Sequence, residues 1–178
     1  GAFEKDGTNF EGDLVREKKP KFLLYGAFHQ NNWARREQGQ LGQDLFEQRT
    51  MKSVFLDALF KYQGWSFMST YMSRSAKNPI TFNPEDISES NFVYVGNGMD
   101  YQLSYIFRTN YEVIGRFSTQ KVHSDIKALT PDTKQFTLGV TKYLWEHAFK
   151  IQAEVTYSQL DFFTGNTADN WYARVQLE

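Results

Sequence analysis

His29, His123 and His147 are the three imidazoles of the 178-residue chain, and they are scattered, with no ligand spacing such as H-E-x-x-H. Cysteine is absent, which removes thiolate metal sites, thiol nucleophiles and disulfide scaffolds. No G-x-S-x-G elbow accompanies the serines. Gly96-Asn97-Gly98 is a lone G-x-G with no helical pattern after it, so it reads as a bend in a strand rather than a phosphate cradle. The expectation is therefore no enzyme, no metal and no cofactor. What remains is charge at alternating positions. Lys61, Arg74, Arg116, Lys150 and Arg174 supply the bases, and Asp57, Asp100, Glu112, Glu154 and Glu178 the acids. Their chemistry would be electrostatic, since charged side chains lining a pore sort the ions that pass it. The plainer reading is ordinary cross-strand pairing, worth ~0.2–1 kcal/mol per pair. Bases and acids balance, so these positions form no basic constriction and give no support to phosphate specificity.

Strands must hold these charges in place. Tyr111, Val113, Gly115 and Phe117 alternate with Glu112, Ile114, Arg116 and Ser118. Phe149, Ile151, Ala153, Val155 and Tyr157 alternate with Lys150, Gln152, Glu154, Thr156 and Ser158. Trp171, Ala173, Val175 and Leu177 alternate with Tyr172, Arg174, Gln176 and Glu178. A period of two gives a strand two unlike faces, which a helical period would mix. Residues 21–32, 53–62, 65–74, 91–107 and 134–144 fit the same template less cleanly, for about eight strands in all.

The connections expected between these strands alternate in length. Long ones fall near 33–52, 75–91, 122–133 and 161–169. Short ones fall at Gln63-Gly64, at Arg108-Thr109-Asn110 and at Trp145-Glu146-His147. In an up-and-down sheet alternate connections emerge at opposite ends, so one end carries tight turns and the other long loops. That asymmetry marks outer-membrane barrels. Leu41, Leu45 and Phe46 in 33–52 suit either a short turn folded into the lumen or a solvated external loop. Residues 1–20 differ in kind, being Gly-rich and charged, and read as a periplasmic or turn segment.

Composition supports strands over helices. Aromatics make up 17% while hydrophobics total only 40%, and rings favour strands and membrane interfaces. No apolar run approaches the ~18–20 residues of a spanning helix, whereas a membrane strand needs only ~9–11. Lys+Arg 20 against Asp+Glu 21 leaves no broad basic surface, so nucleic acid is not an expected partner. Rings near strand ends (Tyr62, Trp65, Phe107, Tyr111, Tyr143, Trp145, Phe149, Tyr157 and Trp171) suggest an interfacial girdle.

Several strings carry a family resemblance. Phe10-Glu11-Gly12-Asp13-Leu14 leads into Arg16-Glu17-Lys18-Lys19-Pro20-Lys21, and Arg35-Arg36 precedes Gln38-Gly39-Gln40-Leu41-Gly42. Asp57-Ala58-Leu59-Phe60-Lys61-Tyr62-Gln63-Gly64 and Thr130-Pro131-Asp132-Thr133-Lys134 follow. In order and spacing these resemble the C-terminal half of phosphate-selective porin O/P-like proteins of Gram-negative outer membranes. The resemblance implies an all-β, antiparallel transmembrane barrel of about sixteen or more strands, of which this chain holds about eight. It implies membrane lipid around the barrel, small solutes and ions inside, a homotrimer, and an N-terminal half and leader outside these residues. Outer-membrane barrels commonly end in an aromatic residue, whereas this sequence stops at Leu177-Glu178. Two alternatives stay open: a closed eight-stranded structural or adhesive barrel without a pore, and a soluble all-β ligand-binding module.

Overall fold

The computed structural model describes residues 12–145 and 148–178. Of the charged segment 1–20, residues 1–11 lie outside the described residues, as does His147. The described chain is all-β apart from a three-residue 3-10 turn, Ser124–Ile126. Eight strands build one antiparallel sheet. They are β1 (Lys21–Arg36), β2 (Asp44–Tyr62), β3 (Trp65–Ala76), β6 (Gly96–Ile106), β7 (Tyr111–Val122), β8 (Asp132–Trp145), β9 (Phe149–Asp161) and β10 (Thr167–Leu177). A small hairpin, β4 (Ile80–Phe82) with β5 (Ser90–Phe92), interrupts the connection from β3 to β6. Each strand of the large sheet pairs with its neighbours in chain order, β4 and β5 aside.

Most of the expected alternation becomes register. Leu103 on β6, Gly115 on β7, Leu138 on β8 and Val155 on β9 stand side by side. One step away, Gln102, Arg116, Thr137 and Thr156 do the same on the opposite face. Gln63 and Gly64 both take positive φ, 50° and 95°. That is the geometry of a tight two-residue hairpin whose twist matches its strands.

Three expectations about connections change. The 33–52 loop shrinks to residues 37–43, because β1 runs on to Arg36 and β2 begins at Asp44. The pairing continues through a bulge between Asn31 and Ala34, where Trp33 has a φ of 59°. The bulge breaks the period of two and hid the strand extension. The 161–169 loop shrinks to 162–166, little longer than the turn at 107–110, so loop lengths are less sharply sorted than the sequence suggested. The 91–107 segment is two elements, β5 and β6, parted at 93–95. Gly96 begins β6 at a φ of 143°, with the Lys121 carbonyl where a side chain would stand, so this glycine serves close strand packing.

Among the described residues the apolar core cluster lies at the loop end, not between layers. It joins Ala34, Met51, Val93, Val95 and Ile126, with Leu45, Ala76, Ile80, Phe92 and Val122 around it. Hydrogen bonds fasten the hairpin loop over β2: Asn91 Nδ2 donates to the Asp44 carbonyl at 2.8 Å, and Arg49 Nε to that of Asn78 at 2.7 Å.

Candidate functional site

The two faces of the sheet are inverted relative to a water-soluble protein. One face carries large apolar side chains that are exposed, among them Leu56, Leu103, Val113, Phe136, Leu138 and Val140. Leu138 is 72% exposed in the middle of β8. The other face is mostly polar and charged, and there the buried residues are found: Ser53, Ser66, Ser104, Thr141 and Thr156, with Lys61 and Glu112, and the apolar Met51, Leu59 and Ile106 among them. Burying one Leu or Phe is worth ~1.5–3 kcal/mol. A face of many such groups left in water would be strongly unfavourable, and patches of this size mark surfaces that something covers.

The apolar face is itself banded. Tyr101, Phe117, Phe136, Tyr157 and Trp171 form one unbroken cross-strand row over β6–β10. Phe117 and Phe136 stand 4.7 Å apart between ring centroids, and Tyr157 and Trp171 5.0 Å. Toward the turns the face is aliphatic, with Leu103, Val113, Leu138, Val140, Ile151, Ala153, Val155 and Val175. Rings return at the turn end, where Trp65 packs on Tyr105 at 4.8 Å and Tyr105 on Phe107 at 5.0 Å. Beyond the row, toward the loops, the same face turns polar at Thr119, Lys121, Lys134, Gln159 and Asp169. From Phe149 to Tyr157 the strand covers roughly 26 Å, on the order of the ~25 Å apolar band of a membrane barrel. Lys142, a charge on this face, sends its Nζ to the Thr109 carbonyl at 2.7 Å and over the Tyr111 ring at 4.1 Å. Its stem covers apolar surface while its head reaches the turn.

On the polar face, three of the charges singled out from sequence meet acids. Arg116 Nε lies 2.7 Å from Asp100 Oδ2, which also accepts from Ser118 Oγ at 2.5 Å. Arg174 Nη2 lies 2.9 Å from Glu154 Oε1, directly across the β9–β10 ladder. Lys150 Nζ lies 2.8 Å from Glu178 Oε2. Arg74 donates to Ser53 Oγ at 3.2 Å and forms no ion pair among the described residues. Asp57 sits between Tyr25 and Thr70 in the register, away from the paired group.

Lys61 and Glu112 differ from the rest: they are 2% and 1% exposed and lie at the turn end under residues 12–17. Lys61 Nζ donates to the Gly12 carbonyl at 3.0 Å. Glu112 Oε2 accepts from the Tyr143 hydroxyl at 2.5 Å, while its Oε1 is buried without a partner among the described residues. Tyr143 therefore belongs to the polar face and not to the girdle. Its register partner is Lys150, and parity along β8 already sets it with Thr141. The strap 12–17 gave no periodic signal in the sequence, because its partners lie far along the chain.

Two clefts open on the polar face. One, of about 780 Å³, lies toward the loops between Thr70, Arg74, Asp100, Arg116, Gln120 and Gln135. The other, of about 530 Å³, lies toward the turns between Gly12, Gln102, Lys150, Glu154, Arg174 and Gln176. Arg116 borders both. Among the described residues no three His, Asp or Glu side chains converge as metal ligands. The outer strands pair on one side only: β1 with β2 and β10 with β9, with no ladder between β1 and β10 among the described residues.

Compared with protein-family models, curated proteins and solved structures, the chain matches none.

Proposed function

We propose that this chain forms part of the wall of an outer-membrane β-barrel porin that passes small solutes, anions among them, through a water-filled lumen. The inverted sheet carries this reading. An aliphatic band edged by rings faces outward, and a wall of hydroxyls, amides and paired charges faces the lumen. Lipid around the barrel would cover the apolar face, and water inside would meet the polar clefts. The unpaired edges of β1 and β10 fit a larger barrel whose further strands come from the rest of the protein. They weigh against the sealed eight-stranded barrel, which needs a β1–β10 ladder. No catalytic chemistry is proposed. Arg116, Arg174 and Lys150, each held by a carboxylate, would give the wall a transverse field rather than a phosphate trap.

The test is reconstitution into a planar bilayer. Stepwise conductance from detergent-extracted protein is expected. Recovery of the chain as a monomer soluble without detergent would overturn the reading.

A further inference from the structure

We infer that the strap 12–17 seals the turn end from β2 across to Glu112 on β7 and Tyr143 on β8, so that solutes on the polar face pass Arg116 and leave along β9 and β10 beside Glu154 and Arg174. The inference rests on the porin reading and adds the route to it. The strap is built in, not merely laid across. Asp13 is fully buried, and its carboxylate accepts from the Gly64 N–H at 2.7 Å and from the Glu17 N–H at 3.0 Å. Arg16 spans two connections, donating to the Gln63 carbonyl at 2.7 Å and to the Ile106 carbonyl, with its guanidinium over the Tyr105 ring. Gly12 enters so closely that a Cβ there would stand 2.7 Å from Ile106 Cδ1, 2.8 Å from Glu112 Oε1 and 3.0 Å from the Tyr143 hydroxyl. The strap thus fills the space in front of Ile106, Glu112 and Tyr143. Buried charge bonded on several sides holds a segment in place, because freeing it leaves unsatisfied groups behind.

Past Gly12 the polar face reopens. The cleft of about 530 Å³ begins at Gly12 and continues to Lys150, Glu154 and Arg174. The route is therefore lopsided: Lys61 and Glu112 line the seal, and the two exposed ion pairs line the passage. The residues that set ion preference would be Arg116, Glu154 and Arg174, with Lys61 silent.

The cysteine-free chain makes the test direct. Single variants Ile106→Cys, beneath the strap, and Gln152→Cys, in the cleft, are made in the intact protein with any cysteine outside this chain replaced, reconstituted in lipid and exposed to a small, charged, membrane-impermeant thiol reagent. Gln152→Cys is expected to react at least about tenfold faster, as local burial slows access. Adding Arg16→Ala, or Asp13→Ala with Arg16→Ala if the single change leaves the strap seated, is expected to bring Ile106→Cys up to the Gln152→Cys rate. Strand content by circular dichroism identifies the folded variants. Equal rates with the strap intact would overturn the inference, and so would an Ile106→Cys rate unmoved by both strap variants. Conductance of the intact parent protein is read in the same membranes. Its absence would sink the porin reading, while equal labelling in a conducting protein would sink only the route.

Discussion

At the scale of single residues, the paired charges and the strap make different demands. Arg174 and Glu154 form a half-exposed ion pair, a class worth at most ~1 kcal/mol of stability, so its value lies in the field it makes. Arg174→Glu is expected to shift the reversal potential toward cation preference while the unfolding midpoint hardly moves. Measurement in asymmetric salt checks this. Gly12 behaves in the opposite way. Gly12→Leu would drive a side chain into Ile106 and Glu112 and is expected to destabilise by about 1–3 kcal/mol, as overpacking does, read as a lower urea midpoint. In the loop between β4 and β5, Asp86 accepts from Ser88 Oγ at 2.7 Å and from the Ser88 N–H at 2.9 Å. The side-chain bond first, then the backbone bond, holds its carboxyl below the usual aspartate range. A depressed carboxyl stabilises this turn above the unfolded-state pKa, and that stability is lost as pH falls through the lower folded value. NMR titration should find Asp86 below a free aspartate, and Ser88→Ala should raise it. The charged pairs were legible in the sequence as alternation. The burial of Lys61 and Glu112 was not, because what covers them comes from residues 12–17, which carry no period.

At the scale of elements, each strand is read by parity. Leu138 and Thr137 are neighbours on β8 but lie on opposite faces of the sheet, which in the proposed porin meet lipid and lumen. Leu138→Lys should therefore cost about 2–4 kcal/mol of membrane stability if it sits near the bilayer midplane, whereas Thr137→Lys should be tolerated. Urea unfolding in lipid vesicles distinguishes the two, and equal effects would mean that the faces are not in different media. Parity was also the most legible property of the sequence. The β7, β9 and β10 faces follow from it directly, as does the Gln63-Gly64 hairpin. Where backbone departs from parity the reading stopped. The bulge at Trp33 concealed the last turn-free stretch of β1, and the β4–β5 hairpin, at three residues a strand, is too short to show a period. The row from Tyr101 to Trp171 went unseen for another reason: no strand shows it alone, and it exists only once five strands are in register.

At the scale of the whole molecule, the open edges dominate. β10 is exposed along nearly its whole length, with Val175 77% exposed, and β1 leaves Phe22, Leu24 and Phe28 uncovered. Such edges template pairing with further strands. Hydrogen exchange should therefore find the central amides of β7 slowest and those on the outer side of β10 fast in this chain alone. Protection of the outer β10 amides within the intact protein would place a further paired strand there. The same edges explain why the strand count of the proposed barrel was not legible: it depends on what pairs with β1 and β10.

The strap also constrains the order of events in assembly. Gly12 is made before every strand it touches, yet its seat is composed of β2, β6, β7 and β8 together. The β2–β3 hairpin alone offers only Lys61 and the Gln63-Gly64 turn, not the whole seat. Docking it closes a loop that spans most of the described chain, an entropic cost that grows with length. The earliest of these segments to be synthesised is thus the last to be placed. Until then the turn end lacks its cover of residues 12–17.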